Sequence, residues 1–512
     1  MTETISRIDP NAWIAAALGS NPTKIFIEVP GGSSYSYAAA EELLLRIGVA
    51  MRDLGVAPGD RVAVQVEKSP EAFLLYLACL RIGAVFVPLN SAYTHAELSY
   101  FLADARPRLF VVQPESEVLL RPLARAAGVA HMATLGVAAD GSLMEAAKEA
   151  HGIRSLVFAG SPDSLAALLY TSGTTGRSKG AMLTRRNLAS NAGALVEAWR
   201  FEARDIVLHA LPIFHAHGLF IAGNTALAAG ASLLFLNRFD VDEVIAHMVK
   251  ATVFMGVPTH YMRLLTSPKL NPETTRPIRL FVSGSAPLLD ETHRKFSQRT
   301  GHYIVERYAM TETLVNASNP YEGERRPGAV GFPLPAVEIR LTAGDSGEAL
   351  TGAEAVGMIE VRGPNLFSGY WRNLEKTAAD IRENGFFITG DLGRFDKDGY
   401  LRIVGRAKDL IISGGYNVYP KEIEAEIDAI AGVQECAVIG LPHPDFGEAV
   451  TAIVIALPGA GLTENSLAAG VKERLARYKQ PKRFLFADEF PRNPLGKIQK
   501  SVLRDQYKDL YL

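Results

Sequence analysis

The chain has 512 residues, 48% hydrophobic and 21% charged, with a formal net charge of −2. That length exceeds one ordinary core and points to two or more domains, while the near-neutral balance argues against nucleic acid or an anionic membrane as partner. Cys79 and Cys436 lie too far apart in sequence to suggest a disulfide framework or a cysteine metal site, which fits a reducing, cytoplasmic setting. The first apolar piece, 13–18, is too short for a secretory signal. The long apolar stretch 219–236 is broken by Asn224 and glycines, and reads as a buried helix and a strand rather than a membrane span.

Residues 1–165 alternate between the two periodicities: a helix over 41–54, a strand over 61–66, a helix over 70–82, strands over 84–89 and 109–112. The rhythm resumes over 206–310. Such alternation predicts mainly parallel α/β sheets in two subdomains, 1–165 and 166–327. Short strands with glycine turns (VEIRL, MIEVRG, FFITGDLGRF, YLRIVGR) predict a β subdomain over 328–404. Beyond it, a helix over 421–430, strands over 436–439 and 449–456, a helix over 466–478 and a strand over 483–486 predict a compact α+β domain, 405–512. The expected fold class is α/β, with a large N-terminal domain (1–404) and a small C-terminal one. The short charged joint GRAKDL suggests a hinge.

Several stretches carry more chemistry than packing requires. In YTSGTTGRSKG (170–180), Gly173, Gly176 and Gly180 let backbone N–H groups approach an anion. Thr171, Ser172, Thr174 and Thr175 add hydroxyls and Lys179 a positive charge. This is the chemistry of a triphosphate cradle, without the Gly-Lys-Ser/Thr ending of a Walker A loop; a plain flexible loop is the alternative. LPIFHAHGL (211–219) puts His215 and His217 at a strand-to-helix junction, suited to a gate or a substrate contact more than to a metal pair. SGSAPL (283–288) offers small residues where a ring or an anion can lie on the backbone, or simply a helix cap. YAMTET (308–313) puts Thr311 and Glu312 at a strand end, where a carboxylate beside a phosphate loop suits Mg²⁺. Asp391, between glycines in ITGDLGR (388–394), suits a ribose diol or merely a turn, and Lys497 stands on the Pro/Gly-punctuated PRNPLGKIQK (491–500).

These stretches, with GRAKDLIISGGYNVYPKEIE (405–424), occur in the order and at the separations of the acyl-adenylate-forming superfamily of acyl-CoA synthetases, peptide-synthetase adenylation domains and luciferases. The chain resembles that family over essentially its whole length. The resemblance implies a mobile C-terminal domain turning about a hinge at Lys408. It assigns Thr171 to Lys179 to the ATP phosphates, and Gly284, Ser285, Ala286 and Tyr308 to the adenine. Thr311 and Glu312 go to phosphate and Mg²⁺, Asp391 to the ribose hydroxyls, and Arg406 to ribose and phosphate. Lys497 bridges carboxylate and α-phosphate, and Gly414 and Gly415 line the pantetheine tunnel of coenzyme A. Two positions depart from the family pattern: Ala309 replaces a glycine, with a tighter acyl pocket as the expected result, and Arg185 and Arg186 precede Asn187 where a histidine is usual, placing cations within expected reach of CoA phosphates.

Around VPTHYMRLL, IFHAHGL and ERYAMTETLVNASNPYEGERRPGAVG the chain resembles the malonyl-CoA synthetase branch. That likeness implies that Arg263 pairs with the distal carboxylate of malonate, helped by Ser285 and by His215 in preference to His217. A solvated helix arginine is the alternative for Arg263. The expected reaction joins malonate to CoA through malonyl-AMP, with ATP consumed and AMP and pyrophosphate released, and with methylmalonate also accepted. Other expectations are a ligase for a different short or aromatic acid, or an ATP-binding protein without turnover. The only macromolecular partner expected is a lysine acetyltransferase acting on Lys497.

Overall fold

The chain is described from a computed structural model, which defines residues 10–151, 158–171, 178–344, 347–352, 354–493 and 496–511. Among these residues the strands form four sheets. In the first, His131–Thr134, Leu109–Val112, Arg61–Gln65, Val85–Pro88 and Leu165–Thr171 run parallel, closed by the antiparallel Lys179–Thr184. Their sequences (LFVV, VFVP, LAALLYT) are near-continuous apolar runs because both faces are covered. The second sheet has nine strands, with a parallel centre formed by Val305–Met310, Leu280–Ser283, Val253–Gly256, Ile206–His209, Ser232–Phe235 and Ile25–Glu28. Antiparallel strands flank both ends.

Pro70–Ile82 lies between these sheets with every residue buried. Tyr76 meets Phe86 of the first sheet edge-on, at 5.4 Å between ring centroids, and Phe73 reaches Phe235 of the second at 6.4 Å. A helix apolar on all sides has no solvent face, so it serves as a shared core. Local signals set its ends: the Ser69 hydroxyl caps the N–H of Ala72, Pro70 occupies the first turn, and Gly83 stops the helix at φ 78°.

The sheets do not divide at 165/166, where the sequence rhythm places a subdomain boundary. Ile25–Glu28 joins the second sheet, and Leu165–Thr171 with Lys179–Thr184 joins the first. The four-stranded antiparallel sheet (Glu338–Thr342, Gly357–Arg362, Phe387–Phe395, Leu401–Arg406) completes the large lobe. The small lobe packs Pro420–Asp428 and Glu464–Lys472 on a sheet built around the long hairpin Val433–His443/Gly447–Ala456. The second of these helices ends earlier than its expected 478. Between the lobes lies the 3₁₀ turn Ala407–Asp409. Lys421 Nζ crosses it to the carbonyl of Ile403 at 3.2 Å. Among the described residues no helix is long and apolar enough to cross a membrane; the stretch 219–236 is a π-helix, His217–Asn224, one α turn and the strand Ser232–Phe235.

Candidate active site

The strand ends of the second sheet, the loop base of the first and two strands of the small antiparallel sheet converge. Asp391 and Arg406 are opposed across neighbouring strands and joined, Arg406 Nε donating to Oδ1 at 2.7 Å. The Tyr308 hydroxyl donates to Asp391 Oδ2 at 2.6 Å, with the pair buried. Burial, then the charge of Asp391, pushes the phenol far up, so it stays a donor. Lys497 arrives from the small lobe. Protein crowding and the nearby Arg406 lower its pKa, while Asp391 acts the other way. The side chain is nevertheless solvent-accessible, so water moderates that shift. The small lobe is thus turned so that Lys497 faces the Asp391–Arg406 pair.

On the phosphate side, Thr171 and Lys179 face each other at the base of the loop. Ser172, Gly173, Thr174, Thr175 and Gly176 lie outside the described residues. Glu312 is buried, and the Tyr370 hydroxyl donates to its Oε1 at 3.1 Å; desolvation raises its pKa. The Tyr370 ring also sits 5.8 Å from Lys179 Nζ, linking the loop base to the carboxylate. Glu312 and the part-buried Thr311 offer hard oxygen donors, and among the described residues no group of three His, Cys, Asp or Glu could hold a metal. That donor set fits Mg²⁺ shared with phosphate oxygens and does not fit an all-protein metal cage.

Behind Ser285, positive charge is buried without a counter-charge among the described residues. Arg307 is 5% exposed, and its Nε and Nη2 have no hydrogen-bond partner among the described residues. Burial lowers its pKa to about 9, which leaves it charged at neutral pH. It packs flat on Gly284, where a Cβ would fall 2.3 Å from its Nε; this approach demands glycine there. Ser285 follows at φ 71°, a left-handed conformation costly for serine and characteristic of sites. Its hydroxyl meets His217 Nδ1 at 3.1 Å. The histidine that meets Ser285 is His217, whereas His215 is the one expected to help hold malonate. His215 Nδ1 instead accepts the backbone N–H of His217, because the π-helix begins there and turns the second ring inward. Arg307 and burial hold both imidazoles neutral, burial being the larger cause and bringing His215 to about 4.

Arg263 is exposed on Pro258–Thr266, with no carboxylate partner among the described residues. Ala286 is half-buried beside Ser285. Gly414 and Gly415 form the turn between Ile411–Ser413 and Tyr416–Val418, both at positive φ, at the tip of a small-lobe hairpin outside the contacts above. Lys408 lies on the interlobe 3₁₀ turn. The two arginines at the histidine position do not offer free cations. Arg185 is buried and donates to the carbonyl of Leu80 at 2.7 Å, and Arg186 pairs with Asp163 at 2.6 Å. The expectation that they serve CoA phosphates gives way to these structural bonds.

Residues 14–371 match the family described as AMP-binding enzyme, and 422–497 match its C-terminal domain. The chain belongs to the AMP-binding enzyme family. The structure of ATP-bound MatB from Rhodopseudomonas palustris is 51% identical, covers 98% of this chain and 100% of its own, and superposes with a TM-score of 0.95. An indoleacetate–CoA ligase of Aromatoleum aromaticum is 33% identical over 96% of this chain and 97% of its own. A malonate–CoA ligase of Arabidopsis thaliana is 34% identical over 92% of this chain and 84% of its own.

Within this AMP-binding enzyme, sequence reasoning missed Arg307 and Tyr370. Arg307 adjoins Tyr308 in a stretch already singled out, and the charged pair Glu306-Arg307 inside the strand VERYAM was its one signal. Tyr370 had none, since it meets Glu312 only through tertiary packing.

Proposed function

We propose that this AMP-binding enzyme is an ATP-dependent malonate–CoA ligase, forming malonyl-CoA through malonyl-AMP and accepting methylmalonate as well. One added methyl changes binding by only about 1–3 kcal/mol. The observation that carries the reading is Arg307, a buried cation beside Ser285, His217 and Gly284 whose Nε and Nη2 find no partner among the described residues. Of the eleven unpaired buried side-chain polar atoms among the described residues, six belong to His209, His217, His260, Ser283 and Arg307. A purely apolar acid would leave the two Arg307 donors unsatisfied, whereas a second carboxylate can accept from them. In this reading Arg263, exposed on the helix that also carries His260, is the second cation for that carboxylate. The 51% identity to MatB and the malonate–CoA ligase relative support the reading.

In this reading Asp391 takes the ribose diol, with Tyr308 and Arg406 holding its carboxylate in place. Thr171 and Lys179 take the phosphates. Glu312, with Thr311, would hold Mg²⁺, which when bound neutralises phosphate charge. A carboxylate oxygen of malonate attacks the α-phosphate, pyrophosphate leaves, and Lys497 offsets the charge shared between them. The small lobe then turns about Lys408, carries Lys497 away and brings Gly414 and Gly415 in to line the path of the CoA thiol. The thiol displaces AMP from the acyl carbon. Acetylation of Lys497 would remove the charge the first step needs.

The test is a panel of acids with ATP, Mg²⁺ and CoA, reading AMP and thioester. Malonate should exceed butyrate and indoleacetate by at least about 100-fold in kcat/KM. Equal turnover of butyrate sinks the dicarboxylate reading, and turnover of indoleacetate alone assigns the pocket to aromatic acids.

A further inference from the structure

Lys497 is useful only if its ammonium is aimed, because preorganised charge acts where flexible charge does not. Lysine is a long side chain on a loop punctuated by proline and glycine, so something must fix that loop. The backbone partly does so: Arg492 and Ile498 pair as an antiparallel bridge, and the Gln499 N–H donates to the Pro491 carbonyl at 2.8 Å. Inside that base, Asn493 Oδ1 accepts the N–H of Lys497 at 3.0 Å. The remaining anchor is a side chain. Arg492 Nη1 donates to the carbonyl of Gly496 at 2.7 Å, the peptide oxygen immediately preceding Lys497. Its Nη2 forms an ion pair with Glu435, on the long strand Val433–His443 of the small lobe. The guanidinium is a planar fork, so fixing one arm on Glu435 fixes the direction of the other.

The same peptide is pressed against the large lobe. Gly496 has φ 78°, and a Cβ there would stand 3.1 Å from Thr259 Cγ2. Thr259 begins the helix that carries Arg263 one turn later. Gly496 is thus gripped from one side by the small lobe's sheet and braced on the other by the acyl-site helix.

We propose that Arg492, held by Glu435, is a positioning residue that aims Lys497 at the reacting carboxylate and α-phosphate. This rests on the reading of Lys497 given above. Arg492 touches no substrate; it acts through the Gly496 carbonyl. Its effect is confined to the adenylating orientation, because only there does the Lys497 loop meet Thr259. Loss of the anchor lets the loop rotate without unfolding the lobe, whose core around Val438, Val450, Val454 and Leu467 lies elsewhere.

The experiment measures the two half-reactions separately on the full-length enzyme: acid-dependent ATP–pyrophosphate exchange, and thioester formation from synthetic malonyl-adenylate and CoA. Arg492→Met should lower kcat of exchange roughly 10–100-fold, with KM for ATP and malonate within about twofold, and leave the second half-reaction unchanged. Glu435→Gln should do the same to a smaller extent, because the bond to Gly496 survives. Arg492→Lys should recover part of the rate, since one ammonium reaches one acceptor well. Lys497→Ala is the control. If it spares exchange, the role of Lys497 fails, whatever Arg492 does. If it abolishes exchange and Arg492→Met does not slow it, the positioning role is overturned. Equal loss of both half-reactions in Arg492→Met, or a rise in KM alone, also overturns it.

Discussion

At the residue scale, Arg307 makes an unusual demand on stability. A buried guanidinium without a carboxylate destabilises the free protein, and replacing such charges by apolar groups of similar volume is often neutral or stabilising by 1–4 kcal/mol. Arg307→Met should therefore hold or raise the melting temperature while lowering kcat/KM for malonate about 100-fold or more. Loss of stability together with activity on every acid would make Arg307 a core residue and nothing else. Arg263→Met should show the same substrate bias without a gain in stability, because Arg263 is exposed. Butyrate turnover should hold or rise in both variants, and a parallel fall on both acids counts against a carboxylate partner. Ala309, which departs from the family pattern, follows Tyr308 on the strand that carries Arg307 and is half-buried. Ala309→Gly should widen acceptance toward larger 2-substituted malonates, measured as a higher ethylmalonate-to-malonate ratio. An unchanged ratio removes Ala309 from the acyl wall.

At the scale of elements, a small lobe that turns at Lys408 would make the joint between the lobes set the kinetics. Lys408 sits in the middle of a 3₁₀ turn of three residues, with the neighbouring Asp409 tied to Arg504 at 2.9 Å. Proline at 408 fixes φ near −65°, close to that of a 3₁₀ turn, and so holds this orientation while forbidding others. Lys408→Pro should keep pyrophosphate exchange within about threefold and slow thioester formation at least about 100-fold. Normal overall turnover places the pivot elsewhere. Elements also show what a sequence can reveal. The helix Pro70–Ile82 was legible to the residue, because Ser69, Pro70 and Gly83 are local signals. The assignment of Ile25–Glu28 to the second sheet was not, because its partner Ser232–Phe235 lies some two hundred residues on, and strand periodicity carries no address. The motif residues Tyr308, Asp391 and Arg406 were legible, and they do converge. The choice between His215 and His217 was not, since it turns on a π-helix whose extra residue per turn leaves no mark in the hydrophobic pattern.

The two lobes, taken as whole bodies, should respond to pH in opposite senses. In the large lobe, burial lowers the imidazole of His209 to about 3 and that of His217 well below its ordinary value. His260, at about 3, and His215, at about 4, retain some surface, so water screens them more. A histidine with a lowered folded pKa binds fewer protons folded than unfolded, so stability falls as pH drops through its unfolded value near 6.5. The two enclosed rings alone should remove about 2–3 kcal/mol between pH 7.5 and 5.5. Glu306 and Glu312, both raised by burial, oppose this in part. In the small lobe, Asp428 is buried, with Glu424 beside it, and burial first and that neighbour second carry its pKa to about 8. A raised carboxyl works the other way: the folded form keeps its proton, so its contribution is present at pH 5.5 and is lost as pH rises through 8. That should add about 2–3 kcal/mol to the small lobe over the same descent. Calorimetry of the intact chain should then show two transitions moving in opposite directions, the larger falling and the smaller rising as pH goes from 7.5 to 5.5. Asp428→Asn should freeze the smaller transition and leave the pH response of the larger one intact. If both transitions move together in the parent enzyme, or if Asp428→Asn alters the larger one, the lobes do not titrate as separate bodies.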